Sequence, residues 1–197
     1  MNFSNKEKYL QNKDSKLKKI IDKNGPILFE PNNENQFDSL VGIVISQFIS
    51  TKASNTIFRQ IKDNFKTEYL NETNFQNISI NEIKKLGLTK NKSKTIKNLS
   101  ELFLDNTFGD LATLDEEELY KQLLSVFGIG PWSVSMFEIF CLGKLDVFTS
   151  KDAGLRLAMN KSLIVDLNSD WKKYDEYAKK WSPFRSIACL HLWKTVD

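Results

Sequence analysis

Leu123-Leu124-Ser125-Val126-Phe127-Gly128-Ile129-Gly130-Pro131-Trp132-Ser133-Val134 is the stretch whose reading decides the fold. A helical pattern runs into a Gly-Ile-Gly turn, and a new helix starts at Pro131, where the first helical turn tolerates proline. Glycine permits positive φ and close approach of the backbone to a partner. Ile129 is placed to plug the core between the two helices. Backbone amides from Gly128, Ile129 and Gly130 to Ser133 then line a turn and a helix N-terminus, which can hold a phosphate without any charged side chain. A plain helical hairpin with a glycine stop has the same local pattern, and a Gly-x-Gly turn alone does not separate the two.

Working outward, the chain reads as helical nearly throughout. Its 8 Gly and 4 Pro fall between periodic segments, where they punctuate helices. Upstream of the hairpin, Asp115 with Glu118 has the spacing of a helix cap, as does Ser79 with Glu82. Asn91 to Leu104 reads as a helix, and Phe37 to Phe65 as two, broken at Gln47-Phe48-Ile49-Ser50-Thr51. Leu10, Leu17, Ile20 and Ile21 suit one face of a single helix over Tyr9–Ile21, stopped by Gly25-Pro26. Downstream, helices are expected over Lys151–Asn160, Asp170–Lys180 and Pro183–Trp193. The expected fold class is all-α, in two helical lobes. Residues 36–142 would form the central lobe with the hairpin. Residues 1–35 with 143–197 would form the second.

The composition excludes several function classes. Two cysteines, Cys141 and Cys189, are too few for a disulfide framework, a four-thiolate zinc site or an iron–sulfur cluster. With a single histidine, His191, no side-chain metal site is expected. No apolar run reaches the length of a membrane span. The first residues are polar, with no apolar core of a signal peptide, so an intracellular protein is expected. Lys and Arg total 28 against 25 Asp and Glu, and a net charge of +3 does not by itself announce a nucleic-acid binder.

A second segment, Asp146-Val147-Phe148-Thr149-Ser150-Lys151-Asp152-Ala153-Gly154-Leu155-Arg156, follows the hairpin after one helix. Together the two resemble the helix–hairpin–helix (HhH-GPD) DNA glycosylase superfamily, and within it the type II 3-methyladenine (alkylpurine) DNA glycosylases. Three other stretches carry the same resemblance: Ile45–Ala53 around Gln47, Leu86–Lys94, and the Trp181-Ser182-Pro183-Phe184-Arg185-Ser186 run that continues to His191-Leu192-Trp193. The likeness covers the chain from about Leu10 onward. Long members of the family carry an extra N-terminal β-rich lobe, for which this sequence has no room.

The resemblance implies a fold with the active-site cleft between its lobes, and it makes Asp152 the catalytic carboxylate. Breaking an N-glycosidic bond develops positive charge on the sugar, which a fixed carboxylate stabilises while it orients or deprotonates the attacking water. Asp152 is equally well placed to cap the next helix, a frequent task for Asp. Asp146 reads as structural. Relatives that also cut the backbone carry a hairpin Lys for a Schiff base; here the position is Trp132, which implies a monofunctional enzyme. Trp132 and Trp193 are expected to line the base pocket, where an indole face attracts a cationic base. Met136, one turn after Trp132, stands where relatives carry a Tyr and leaves the base preference open. Core packing is the alternative for each aromatic.

Phe48 is the expected wedge that fills the stack when the target base flips out, with Gln47 beside it reading a base edge; Phe48 in the core is the alternative. Lys84, Lys85, Lys90, Lys92, Lys94 and Lys97 are phosphate contacts or a solvated face. His191 reads as packed rather than catalytic, and Arg185 as a pin for the last helix. No cofactor is implied, although the hairpin carbonyls of Phe127, Ile129 or their predecessors can hold a monovalent cation beside the phosphate. The implied reaction is hydrolysis of alkylated purines from double-stranded DNA by a monomer, without a membrane partner. The setting would be a prokaryotic cytoplasm, at the nucleoid, or a eukaryotic nucleus. A glycosylase for another damaged base and a non-catalytic DNA-binding hairpin module remain alternatives.

Overall fold

The computed structural model describes residues 3–196. Twelve α-helices run along them: α1 (Ser4–Lys13), α2 (Ser15–Asn24), α3 (Gln36–Ser46), α4 (Thr51–Phe65), α5 (Thr73–Gln76), α6 (Ile80–Lys85), α7 (Lys90–Leu104), α8 (Glu116–Ser125), α9 (Pro131–Phe140), α10 (Ala153–Lys161), α11 (Trp171–Ala178) and α12 (Arg185–Trp193). Short 3-10 turns stand at Leu111–Thr113 and Lys179–Trp181. Among the described residues there is no β-strand, so the all-α class holds.

The chain divides into two compact units. One comprises Asn32–Leu142, hence α3 to α9. Its centre is α3, an apolar helix with Phe37, Leu40, Val41, Val44 and Ile45 buried, packed by α4, α7 and α9. A chain of ring contacts, Phe65–Phe75–Phe37–Phe103–Phe108, extends that core. Tilted and edge-on aromatic pairs of this kind stabilise beyond the area they bury.

The other unit runs up to Pro31 and resumes at Gly143. Its core joins α1 and α2 to α10, α11 and α12, with Leu10, Leu17, Leu155, Trp181, Ile187 and Leu192 fully buried. Here the structure corrects one reading. Tyr9–Ile21 is not a single helix but two, because Asp14 breaks it. Asp14 adopts extended backbone and its carboxylate accepts the N–H groups of Lys16 and Leu17, capping α2. Side-chain competition for backbone donors is why Asp favours caps over helix interiors. The apolar period continues through the break, so periodicity alone hid it.

His191 is packed, as read. Its Nε2 lies 3.1 Å from Glu7 Oε1, and that same oxygen accepts the N–H of Ile27. Burial pushes the imidazole pKa down against the pull of the Glu7 carboxylate.

Candidate functional site

The hairpin has the expected form. Helix α8 ends at Ser125, Gly128 turns at φ +84°, and Gly130 precedes Pro131 at the first position of α9. Glycine is required at Gly128 twice over: for the positive φ, and because a Cβ there would stand 2.1 Å from Thr95 Oγ1 on α7. Ile129 is buried, as the plug reading requires. Its N–H, however, donates to the Val126 carbonyl at 3.1 Å, so that amide closes the turn and is not offered outward. Helix α9 opens without a capping side chain, and its first internal bond runs from the Val134 N–H to the Gly130 carbonyl. The amides ahead of that bond have no intrahelical acceptor, and the helix dipole makes this end attractive to an anion.

Trp132 lies in the first turn of α9, half-buried, and Met136 one turn on is buried; at that spacing the two share a helix face. Ser133 is 2% exposed, and its Oγ accepts the Gln47 side-chain N–H at 2.9 Å. Gln47 donates from the same nitrogen to the Gly128 carbonyl at 3.0 Å. The Gln47 amide therefore ties the end of α3 to the hairpin, where the sequence reading had it facing a base and Ser133 facing DNA.

Phe48, next in the chain, is fully exposed and sits in the left-handed region at φ +60°. The core alternative for this residue is excluded. A β-carbon in that region is strained, and such strain persists only where neighbours hold it. Gln47 is one holder. Lys92 is the other: its ammonium donates to the carbonyls of Ile45 and Gln47, both at 2.7 Å, and burial lowers its pKa. The sequence reading left Lys92 as a phosphate contact or part of a solvated face; the structure instead uses it to hold the Phe48 loop. Lys97 is similarly committed, to the carbonyls of Phe75 and Gln76.

Asp152 belongs to the other compact unit. It caps α10, with Oδ1 accepting the Leu155 N–H at 2.7 Å and the Trp193 indole N–H at 3.0 Å. Gly154 makes that contact possible, since a Cβ on it would come within 3.1 Å of Asp152 Oδ1 and 3.3 Å of the Trp193 ring. The loop before Asp152 is anchored as well. Ser150 donates to Asp175 on α11 through both its N–H and its hydroxyl, and its carbonyl accepts from Arg156, whose guanidinium lies over Trp171. Asp146 is structural, as read. Arg185 grips its carboxylate from Nε (2.7 Å) and Nη2 (3.1 Å), and Ser182 Oγ adds a third bond. Burial pushes the Asp146 pKa up, and these bonds outweigh it and hold the carboxyl below its ordinary value.

Comparison with known proteins agrees with this geometry. Residues 41–184 match the family described as HhH-GPD superfamily base excision DNA repair protein. The chain is 25% identical to the alkylbase DNA glycosidase-like protein mag2 of Schizosaccharomyces pombe, over 98% of this chain and 93% of that protein. Its fold superposes on the 3-methyladenine DNA glycosylase of the same yeast in complex with abasic DNA, with TM-score 0.86 and 24% identity, covering 97% of this chain and 96% of that one. A DNA-3-methyladenine glycosidase from Bacillus halodurans gives TM-score 0.76 and 27% identity, over 96% and 88%. The matched span begins inside the helix that leads to Phe48, takes in both Gly128 and Asp152, and ends just before α12; the chain belongs to the HhH-GPD superfamily of base excision DNA repair proteins.

Proposed function

We propose that this protein is a monofunctional DNA glycosylase that removes alkylated purines, of the 3-methyladenine type, from double-stranded DNA. The observation that carries this reading is Asp152: a buried carboxylate fixed on one oxygen by a helix amide and an indole N–H, in a family of base excision repair proteins. Relatives over most of their length bear the names of alkylbase or 3-methyladenine glycosylases, and one was solved on abasic DNA.

The chemistry assigns each group a task. Water attacks C1′ of the flipped nucleotide, the N-glycosidic bond breaks, and its electron pair goes to the purine nitrogen. Asp152 stabilises the positive charge on the sugar and takes the proton from water. An N3-alkylated purine is already cationic and leaves neutral, so no second acid is needed. Trp132 and Trp193 offer aromatic faces to the cationic base. Phe48 fills the vacated stack; its full exposure and its two-sided support suit insertion into a duplex. The N-terminus of α9 and the Gly128–Gly130 turn take a backbone phosphate. A monovalent cation beside that phosphate would be held by the carbonyls of Phe127, Ile129 or the residues just before them, of which Val126 and Gly128 also accept from Ile129 and Gln47. The protein works as a monomer, at the nucleoid of a prokaryote or in the nucleus of a eukaryote. No helix among the described residues is long and apolar enough to cross a membrane.

The test is release of 3-methyladenine from methylated duplex DNA by wild type and by Asp152→Asn. Release by wild type alone supports the assignment, and equal release by both overturns it. Binding to DNA with no release from a panel of single-lesion duplexes would instead identify a non-catalytic binder. Phe48→Ala separates wedge from scaffold: base release should fall by roughly tenfold while the melting temperature holds, because an exposed side chain on strained backbone adds nothing to the core.

A further inference from the structure

Among the lysines of α7, Lys92 and Lys97 donate to backbone carbonyls and are spent on the fold. Lys94 is disposed differently. It is exposed, and its ammonium lies 4.2 Å from the ring centre of Phe127, the residue that precedes Gly128 at the tip of the hairpin. Phe127 is itself 44% exposed, so the ring and the ammonium meet at the surface. The backbones that carry the two are held in register. Thr95, adjacent to Lys94, packs so closely on Gly128 that no side chain fits between them. Helix α7 and the turn therefore hold one register, and the Lys94 stem reaches across to the Phe127 ring.

We infer that Lys94, held by Phe127, is a second DNA-backbone contact, taking the phosphate that neighbours the one at the hairpin amides. An aromatic face orients an ammonium through its quadrupole and supplies no counter-charge. A carboxylate partner would have neutralised it. The arrangement thus presents a lysine ammonium beside a turn whose own donors are uncharged, in a chain whose net charge is only +3. It also divides the labour: amides give geometry, and Lys94 gives the salt-sensitive part of the affinity. The inference rests on the hairpin's taking DNA phosphate, as proposed above, and does not require base release.

The experiment is equilibrium binding to a duplex with a central abasic-site analogue, measured between 50 and 300 mM salt for wild type, Lys94→Gln, Phe127→Leu and, as a control on a lysine of the other compact unit, Lys18→Gln (salt values are about those at which counterion release is readily resolved). Lys94→Gln should reduce the slope of log K against log salt by about 0.9, one phosphate's share. Affinity at the lowest salt should fall by roughly fivefold or more. Phe127→Leu, which keeps apolar bulk but removes the ring, should move in the same direction by less, and Lys18→Gln should leave the slope alone. An unchanged slope in Lys94→Gln, with wild-type binding and base release intact, overturns this contact and leaves the glycosylase reading standing. Failure of the wild type to bind duplex DNA overturns both.

Discussion

Asp14 and Asp152 each stand before a helix, each accept the N–H three residues on, and each accept an indole N–H. Locally they are the same device. Their surroundings differ. Trp181, which donates to Asp14 at 2.9 Å, is fully buried, and the Lys180 ammonium lies 3.6 Å from the same carboxylate oxygen. Asp14 spreads its partners over both oxygens, Oδ1 for the amides and Oδ2 for the indole. Asp152 takes both the Leu155 amide and the Trp193 indole on Oδ1, Trp193 is only half-buried, and a glycine, Gly154, stands against that oxygen. One carboxylate is enclosed by the fold as a joint between α1, α2 and the Trp181 turn. The other is buried as well, but its indole donor is half-buried and its neighbour Gly154 has no side chain. A capping motif therefore says nothing about catalysis until its neighbours are known.

That contrast can be broken from either side, and the largest effect belongs to Asp152. Asp152→Asn keeps a good capping residue, so the melting temperature should change little. Single-turnover base release should fall by about 10²–10⁴-fold, the range for loss of a positioned acid–base group. Removing Asp14 should do the reverse. Asp14→Ala loses a cap and leaves the buried Trp181 N–H without its acceptor, together about 2–4 kcal/mol. A thermal melt should show a fall of roughly 5–15 °C, with the rate per folded molecule unchanged. If Asp14→Ala lowered the rate and left the melt alone, the division between the two corners would be wrong.

Smaller changes sharpen the contrast. Trp193→Phe deletes the indole N–H on Asp152 and should slow release by about tenfold, the kinetic equivalent of one charge-assisted hydrogen bond, with little change in the melt. An unchanged rate would mean that the indole N–H is not needed to orient the carboxylate. The smallest expected effect is on acid stability. Burial raises the Asp14 pKa, but the Trp181 indole, the two amides and Lys180 outweigh it and hold the carboxyl below 3.8. A depressed folded value contributes stability that is present above the unfolded pKa and lost as the pH falls through the folded one. Asp14→Asn should therefore flatten the melting-temperature profile below about pH 4 while leaving its neutral limb parallel to wild type.

Much of this molecule was legible because its signals are local. The Ser79–Glu82 capping box, the stop at Gly25 and the start at Pro131 all rest on residues within one turn of each other, and all three appear in the structure. Arg185 was read as a pin for the last helix, and it makes that pin on Asp146, through both the carboxylate and the backbone carbonyl. The break at Asp14 was missed because the apolar period runs straight through the cap, so the pattern still reads as one helix. The use of Lys92 was missed because its partners are distant in the chain: a lysine on an exposed-looking helix face gives no sign that two carbonyls at the end of α3 wait for it.

By itself, the sequence determined that the chain is helical, that a hairpin joins α8 to α9 through a glycine turn, and that Asp152 stands at the head of a helix in a family-specific segment. Those are properties of short-range spacing: φ freedom at glycine, capping chemistry, a fixed φ at proline. Only the tertiary structure decided which side chains remain for chemistry. It turned Gln47 and Lys92 inward to hold Phe48 out, withdrew Ser133 and the Ile129 amide from the surface, and left Lys94 on the hairpin ring. The physical reason is that a buried donor or acceptor must be paired. Which groups are spent on that pairing depends on contacts between residues far apart in the chain, and no local pattern records them.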